Sequence, residues 1–94
     1  KEFITEMIKK QEARFIEFFN ESGAINKRIH QIELLPGMGK KHMQEILKQR
    51  KEKKFVSFED MKNRLQNLPD PEKAIEKRIF KELIELERHN LFVN

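Results

Sequence analysis

An all-α fold of five helices is the expectation, and three features of the chain carry it. Apolar residues recur at three- and four-residue spacing through most of the 94 residues. The breaks between these segments hold helix-ending and helix-starting residues, among them Gly23, Ser57 and Asp70–Pro71. No linker or low-complexity segment interrupts the run of periodic segments.

The first helix is expected over Glu2 to Glu21. Ile4, Ile8, Phe15 and Phe19 lie along one face, and Phe3, Met7 and Phe18 widen it. Asn20 to Gly23 ends it, with Gly23 suited to a left-handed cap. A short second helix, Asn26 to Leu34, turns Ile25, Ile29 and Ile32 inward. A third, from about Gly39 to Lys51, buries Met43, Ile46 and Leu47. Ser57 caps a fourth, with Asp60 three residues on in a capping-box position. Asp70 caps the fifth and Pro71 takes its first position, where a missing N–H costs nothing. That helix is expected to run to about Arg88, with Ile75, Ile79, Leu83 and Leu86 inside. The tail, His89 to Asn94, is short, apolar and β-prone. It has two readings: a strand added to a further domain, or a flap over the helical core.

Ninety-four residues suit one small domain, near the lower size limit for a core that stands alone. Charged residues, at 38%, slightly outnumber hydrophobic ones at 37%, so much of the surface is solvated. Nothing approaches the run of about 18 apolar residues that a membrane span needs, and no signal-peptide pattern opens the chain. No membrane partner is therefore expected. Cysteine is absent, which removes disulfides, a thiolate nucleophile and cysteine-based zinc sites. A reducing, cytoplasmic setting fits. Because the first residue is Lys, the chain is read as a piece of something longer.

The net charge of +4 is mild, but it is unevenly placed. Lys27 to Lys54 holds nine basic and three acidic residues, or +6; the remainder holds eleven and thirteen, or −2. Positive charge thus gathers around Leu35-Pro36-Gly37-Met38-Gly39-Lys40-Lys41. Without side chains at Gly37 and Gly39, a phosphate can approach their backbone N–H groups. The helix that follows points its own free N–H groups the same way. A helix start favours Asp or Glu, so Lys40 and Lys41 there suit an anion from outside.

Leu-Pro-Gly-apolar-Gly followed by a basic residue resembles the hairpin of a helix-hairpin-helix motif, with Ile46 and Leu47 following at helical spacing. The resemblance implies binding to the sugar-phosphate backbone without reading sequence. It also implies that the hairpin carbonyls can hold a monovalent cation; no other cofactor is implied. Phe15 to Asn20, Ser57 to Asp60 and Leu91 to Val93 extend the likeness to an uncharacterised archaeal family described as RNA-binding. In that family the helix-hairpin-helix region follows a separate N-terminal domain. RNA rather than DNA as partner rests on this resemblance alone, because phosphate contacts carry no base or sugar identity.

An internal repeat supports the arrangement. Shifted by thirty-three residues, Leu35-Pro36-Gly37 overlies Leu68-Pro69-Asp70, Ile32 overlies Leu65, and Ile46 overlies Ile79. The expected architecture is a tandem helix-hairpin-helix domain, SAM-like, over residues 24–94, with an added N-terminal helix over 1–23. The hairpin over 35–41 is intact. The one over 68–74 is degenerate, since Asp70 and Glu72 replace the glycines and Pro71 lacks an N–H.

The residues expected to meet nucleic acid are Gly37, Met38, Gly39, Lys40, Lys41 and His42, with Lys27, Arg28, Lys48, Arg50 and Lys51 widening the positive field. Met38 is counted by position, but its apolar side chain is read as packing beneath the turn. The eight Phe residues are read as core rather than as stacking platforms. His30, His42 and His89 are scattered without metal-ligand spacing. Neither a Gly-x-Ser-x-Gly elbow nor a phosphate-loop lysine motif occurs, and Asp60 is explained by capping, so no catalysis is expected. The rival function is a protein–protein docking module in a larger assembly, held by the Phe-rich stripe of the first helix.

Overall fold

The computed structural model describes residues 2–84 and 90–93. Among them are five α-helices: α1 (Glu2–Lys10), α2 (Glu12–Glu21), α3 (Lys40–Glu52), α4 (Phe58–Arg64) and α5 (Pro71–Ile84). A 3₁₀ turn, Gln31–Leu34, precedes α3. No strand forms among the described residues beyond a single antiparallel bridge between Ala24 and His30. None of the described helices is long and apolar enough to cross a membrane.

The expected first helix is two. Gln11, at φ −112° and ψ 34°, leaves the helical region, although its N–H still closes α1 on the Met7 carbonyl at 3.0 Å. The break separates two packing partners: α1 lies against α5, whereas α2 lies against α3. Ile8, Phe15 and Phe19 are buried as the spacing requires and Ile4 is half-buried; Ile16, not placed on that face, is buried as well, whereas Phe3 is 78% exposed. Gly23 does not adopt the left-handed cap; Gly37 is the glycine with positive φ. Instead Ser22 ends α2 in extended geometry, its N–H donating to the Phe18 carbonyl.

Asn26 to Leu34 is not an α-helix. The Asn26 Oδ1 accepts the N–H groups of Arg28 and Ile29 at 2.8 and 2.9 Å. This offers the backbone a turn in place of a helical ladder. The His30 Nδ1 then accepts the Ile32 N–H, and the Glu33 carboxylate accepts the His30 N–H, which together start the 3₁₀ turn. Ile32 is buried; Ile29 is not.

The later elements follow expectation more closely. Ser57 Oγ accepts the Asp60 N–H, while the Asp60 carboxylate accepts from Val56 rather than from Ser57. Asp70 caps α5 through the N–H of Glu72 at 2.9 Å, with Pro71 in first position. On α5, Ile75 and Ile79 are buried, but Leu83 is 61% exposed and its neighbour Glu82 is buried in its place. The expected end at Arg88, with Leu86 and His89, lies outside the described residues.

Glu82 is the reason the inner face departs from the apolar pattern. Its carboxylate accepts the Arg78 Nε–H at 2.8 Å and the backbone N–H groups of Leu91, Phe92 and Val93 at 2.6 to 3.0 Å. Burial alone would raise its pKa; these donors outweigh burial and hold the pKa below the ordinary value. The tail thus takes the second of its two readings: Phe92 folds over the core, edge-on to Phe15 and Phe18.

Candidate nucleic-acid interface

The hairpin is a turn set on a buried base. Leu35 is 1% exposed, and its carbonyl accepts the Met38 N–H at 3.0 Å. Pro36 and Gly37 fill the two central positions, and Gly37 has φ +85°, the angle a type II turn demands there. The Gly37 α-carbon faces the second Leu-Pro turn: a Cβ built on it would stand 3.7 Å from Pro69 Cγ. Met38 is buried, so its side chain packs beneath the turn and is not a contact surface.

Gly39 is the N-cap of α3, in extended geometry. Its N–H is already engaged, donating to His42 Nδ1 at 3.0 Å. Gly37 N–H meets no acceptor among the described residues. The N–H groups of Lys40, Lys41 and His42 open the helix, where no earlier helical carbonyl can reach them. Four backbone donors therefore remain around the turn.

The expected cations divide into two groups. Lys40 Nζ donates to the Arg28 carbonyl at 2.9 Å and pairs with Glu33 at 3.3 Å, tying the Lys27–Arg28 loop beside the hairpin. The Glu33 carboxyl lies below its usual pKa, first through the His30 N–H and then through Lys40. Lys41 is exposed and forms no ion pair among the described residues. Lys27 and Arg28 are exposed on the tied loop, and Lys48 and Lys51 on the outer face of α3.

Arg50 belongs elsewhere. Its guanidinium donates to the carbonyls of Phe19 and Ser22 at 3.0 and 2.8 Å, satisfying the end of α2. Arg64 plays the same part for α3, donating to the Gln49 and Lys53 carbonyls while its guanidinium lies 4.6 Å above the Phe55 ring.

Gln66 and Asn67, which the sequence analysis passed over, stand in the loop between α4 and α5. They line a groove of about 330 Å³ together with Lys41 and His42. The thirty-three-residue repeat was the available signal, because it makes this loop the counterpart of the hairpin loop.

The whole chain, residues 1–94, matches a family model described as "Protein of unknown function (DUF655)". An uncharacterized protein of Methanocaldococcus jannaschii, MJ0038, is 44% identical over 92 residues, covering 96% of this chain and 42% of that protein. The crystal structure of Af1531 from Archaeoglobus fulgidus is similar with a TM-score of 0.85 at 40% identity. That match covers 96% of this chain and 50% of Af1531. The chain thus spans half or less of the length of these archaeal relatives.

Proposed function

The chain belongs to the DUF655 family, and from that premise we propose that it is a tandem helix-hairpin-helix domain that binds nucleic-acid backbone without sequence specificity. RNA is the favoured ligand. The observation that carries this reading is the turn at Gly37: a positive-φ glycine, an N–H without an acceptor among the described residues, and a helix start bearing two lysines. The N–H groups of Gly37, Lys40 and Lys41 bond phosphate oxygens, and Lys41 supplies the uncompensated charge. Gly39 contributes its N–H only when His42 releases it. Lys40 holds the Arg28 loop in place, so that Lys27 and Arg28 join the same positive face.

The second unit lacks this chemistry for a local reason. In the repeat register α5 begins at Pro71, two positions earlier than α3 begins at Lys40. Asp70 occupies the place of Gly37 and caps the helix with its own carboxylate, leaving no anion site. The second hairpin instead supports the first through Pro69.

A salt titration of binding to duplex RNA tests the proposal, comparing the intact chain with Lys40→Glu/Lys41→Glu. Affinity should fall with a log–log slope of roughly −0.9 per phosphate neutralised, as on duplex DNA. The variant should lose binding while its circular dichroism stays unchanged. Equal binding by both chains sinks the proposal.

One observation favours a docking role beside it. Phe3 and Leu83 line an apolar groove between α1, α5 and the tail, and Ile84 is 68% exposed nearby on α5. Such a face suits a protein surface, and the longer relatives offer a further part of the same polypeptide as its occupant.

A further inference from the structure

The groove beside the hairpin has a chemistry that backbone binding leaves unexplained. One wall is the first two turns of α3, with Lys41, His42 and Glu45; the other is the α4–α5 loop, with Gln66 and Asn67. Leu65 and Leu68 complete the lining with apolar surface. At about 330 Å³ it lies at the small end of the range of ligand pockets.

Phosphate is a poor occupant. Glu45 is the carboxylate of the lining, it has no ion-pair partner among the described residues, and it repels an anion. Arg64, also in the lining, directs its donors to the carbonyls at the end of α3. Lys41, the other cation of the lining, is committed to phosphate at the hairpin by the backbone reading. What remains are two exposed side-chain amides that make no hydrogen bond with the described residues, a carboxylate without an ion-pair partner among them, and an imidazole. Amides offer a donor and an acceptor side by side, the pairing that base edges recognise, and a carboxylate accepts from an exocyclic amino group. The bond from Gly39 N–H holds the His42 ring in one orientation, and a held imidazole is a stacking surface for a base.

Resting on the backbone-binding reading, we infer that this groove receives one unpaired nucleobase of the strand whose phosphates the hairpin holds. Gln66 and Asn67 hydrogen-bond its edge, and Glu45 favours a base with an exocyclic amino group, that is adenine, cytosine or guanine over uracil. The ligand class is then RNA with an unpaired nucleotide, a bulge or loop, in preference to a continuous duplex.

The test uses the 94-residue chain and two RNA hairpins that differ by one bulged adenosine. The bulged RNA should bind about tenfold more tightly, within the usual range for seating one base. In Gln66→Ala/Asn67→Ala this preference should vanish while affinity for the paired RNA is retained. The near-isosteric Gln66→Glu/Asn67→Asp should also lose it, which guards against a folding artefact in the alanine variant. Equal affinity of the intact chain for both RNAs overturns the inference and leaves backbone binding standing. A preference that survives both variants overturns the assignment to this groove. Salt-insensitive or absent binding to either RNA overturns the backbone reading, and this inference with it.

Discussion

His42 reaches back three residues and accepts the N–H of Gly39 on its Nδ1 at 3.0 Å, so the helix of the hairpin caps its own entry. Gly39 has no side chain to cap with; His42 supplies the reciprocal half of a capping box, satisfying the entry N–H while those of Lys40, Lys41 and His42 stay open. Losing one such hydrogen bond costs about 1 kcal/mol. His42→Ala should therefore unfold at lower denaturant concentration by that amount, yet bind paired RNA at least as tightly, because the Gly39 N–H is then free for a phosphate. An unchanged denaturation midpoint would show that the bond contributes nothing.

Gly37 should resist substitution for a different reason. A Cβ at this position meets Pro69 at an ordinary contact distance of 3.7 Å, so space is not the obstacle. The obstacle is φ +85°, which a side chain makes unfavourable by roughly 1–2 kcal/mol. At roughly 4–8 °C per kcal/mol for a domain of this size, Gly37→Ala should show a clearly lowered melting temperature in calorimetry.

Two cations of α3 should behave oppositely. Lys41→Ala removes an unpaired charge, and should reduce the slope of log affinity against log salt by about one while leaving stability alone. Arg50→Ala removes the donors that satisfy Phe19 and Ser22. It should lower stability by about 1–2 kcal/mol and leave the salt slope unchanged. Interchanged results would mean that the guanidinium, not the ammonium, faces the ligand.

Acid should weaken the fold in two steps. The His30 pKa is lowered by burial and then by the charge of Arg50. The unfolded chain therefore takes this proton first, and stability declines as pH falls below about 6.5. The Glu82 pKa is also lowered. Its contribution is complete above the unfolded carboxyl value of about 4.3 and is lost as pH falls through the lower folded value. Glu82→Gln should cost about 3 kcal/mol at neutral pH and flatten the second step in pH-dependent denaturation. A second step of the same size in that variant would place its origin elsewhere.

The parts of the fold legible in the sequence were those governed by local rules. The caps at Ser57 and Asp70, the start of α5 at Pro71 and the burial of Ile46, Ile75 and Ile79 all follow from neighbours a turn away. The break at Gln11 falls in the polar run Lys9 to Glu12, but Ile8 and Phe15 stand two turns apart on one helical face, so the register carries across the run and the change of packing partner that divides the helix does not show in it. The Asn26 turn competes with an equally good helical pattern, and its side-chain oxygen decides between them. Of the candidate site, the Gly37 turn and Lys41 were readable from chemistry. The inward turn of Arg50 and the nearness of Gln66 and Asn67 depend on contacts between distant segments, which periodicity does not encode.

The clasp at Glu82 also bears on how molecules of this protein meet one another in concentrated solution. Leu91-Phe92-Val93 is an apolar, extended-prone segment of the sort that recruits a neighbouring chain by edge-to-edge pairing. Its three consecutive N–H groups all end on one carboxylate, so no row of donors is left to template such a ladder. The bonds that seat the tail thus also withhold those donors from a neighbouring chain, and protonation of that one buried acid would set them free.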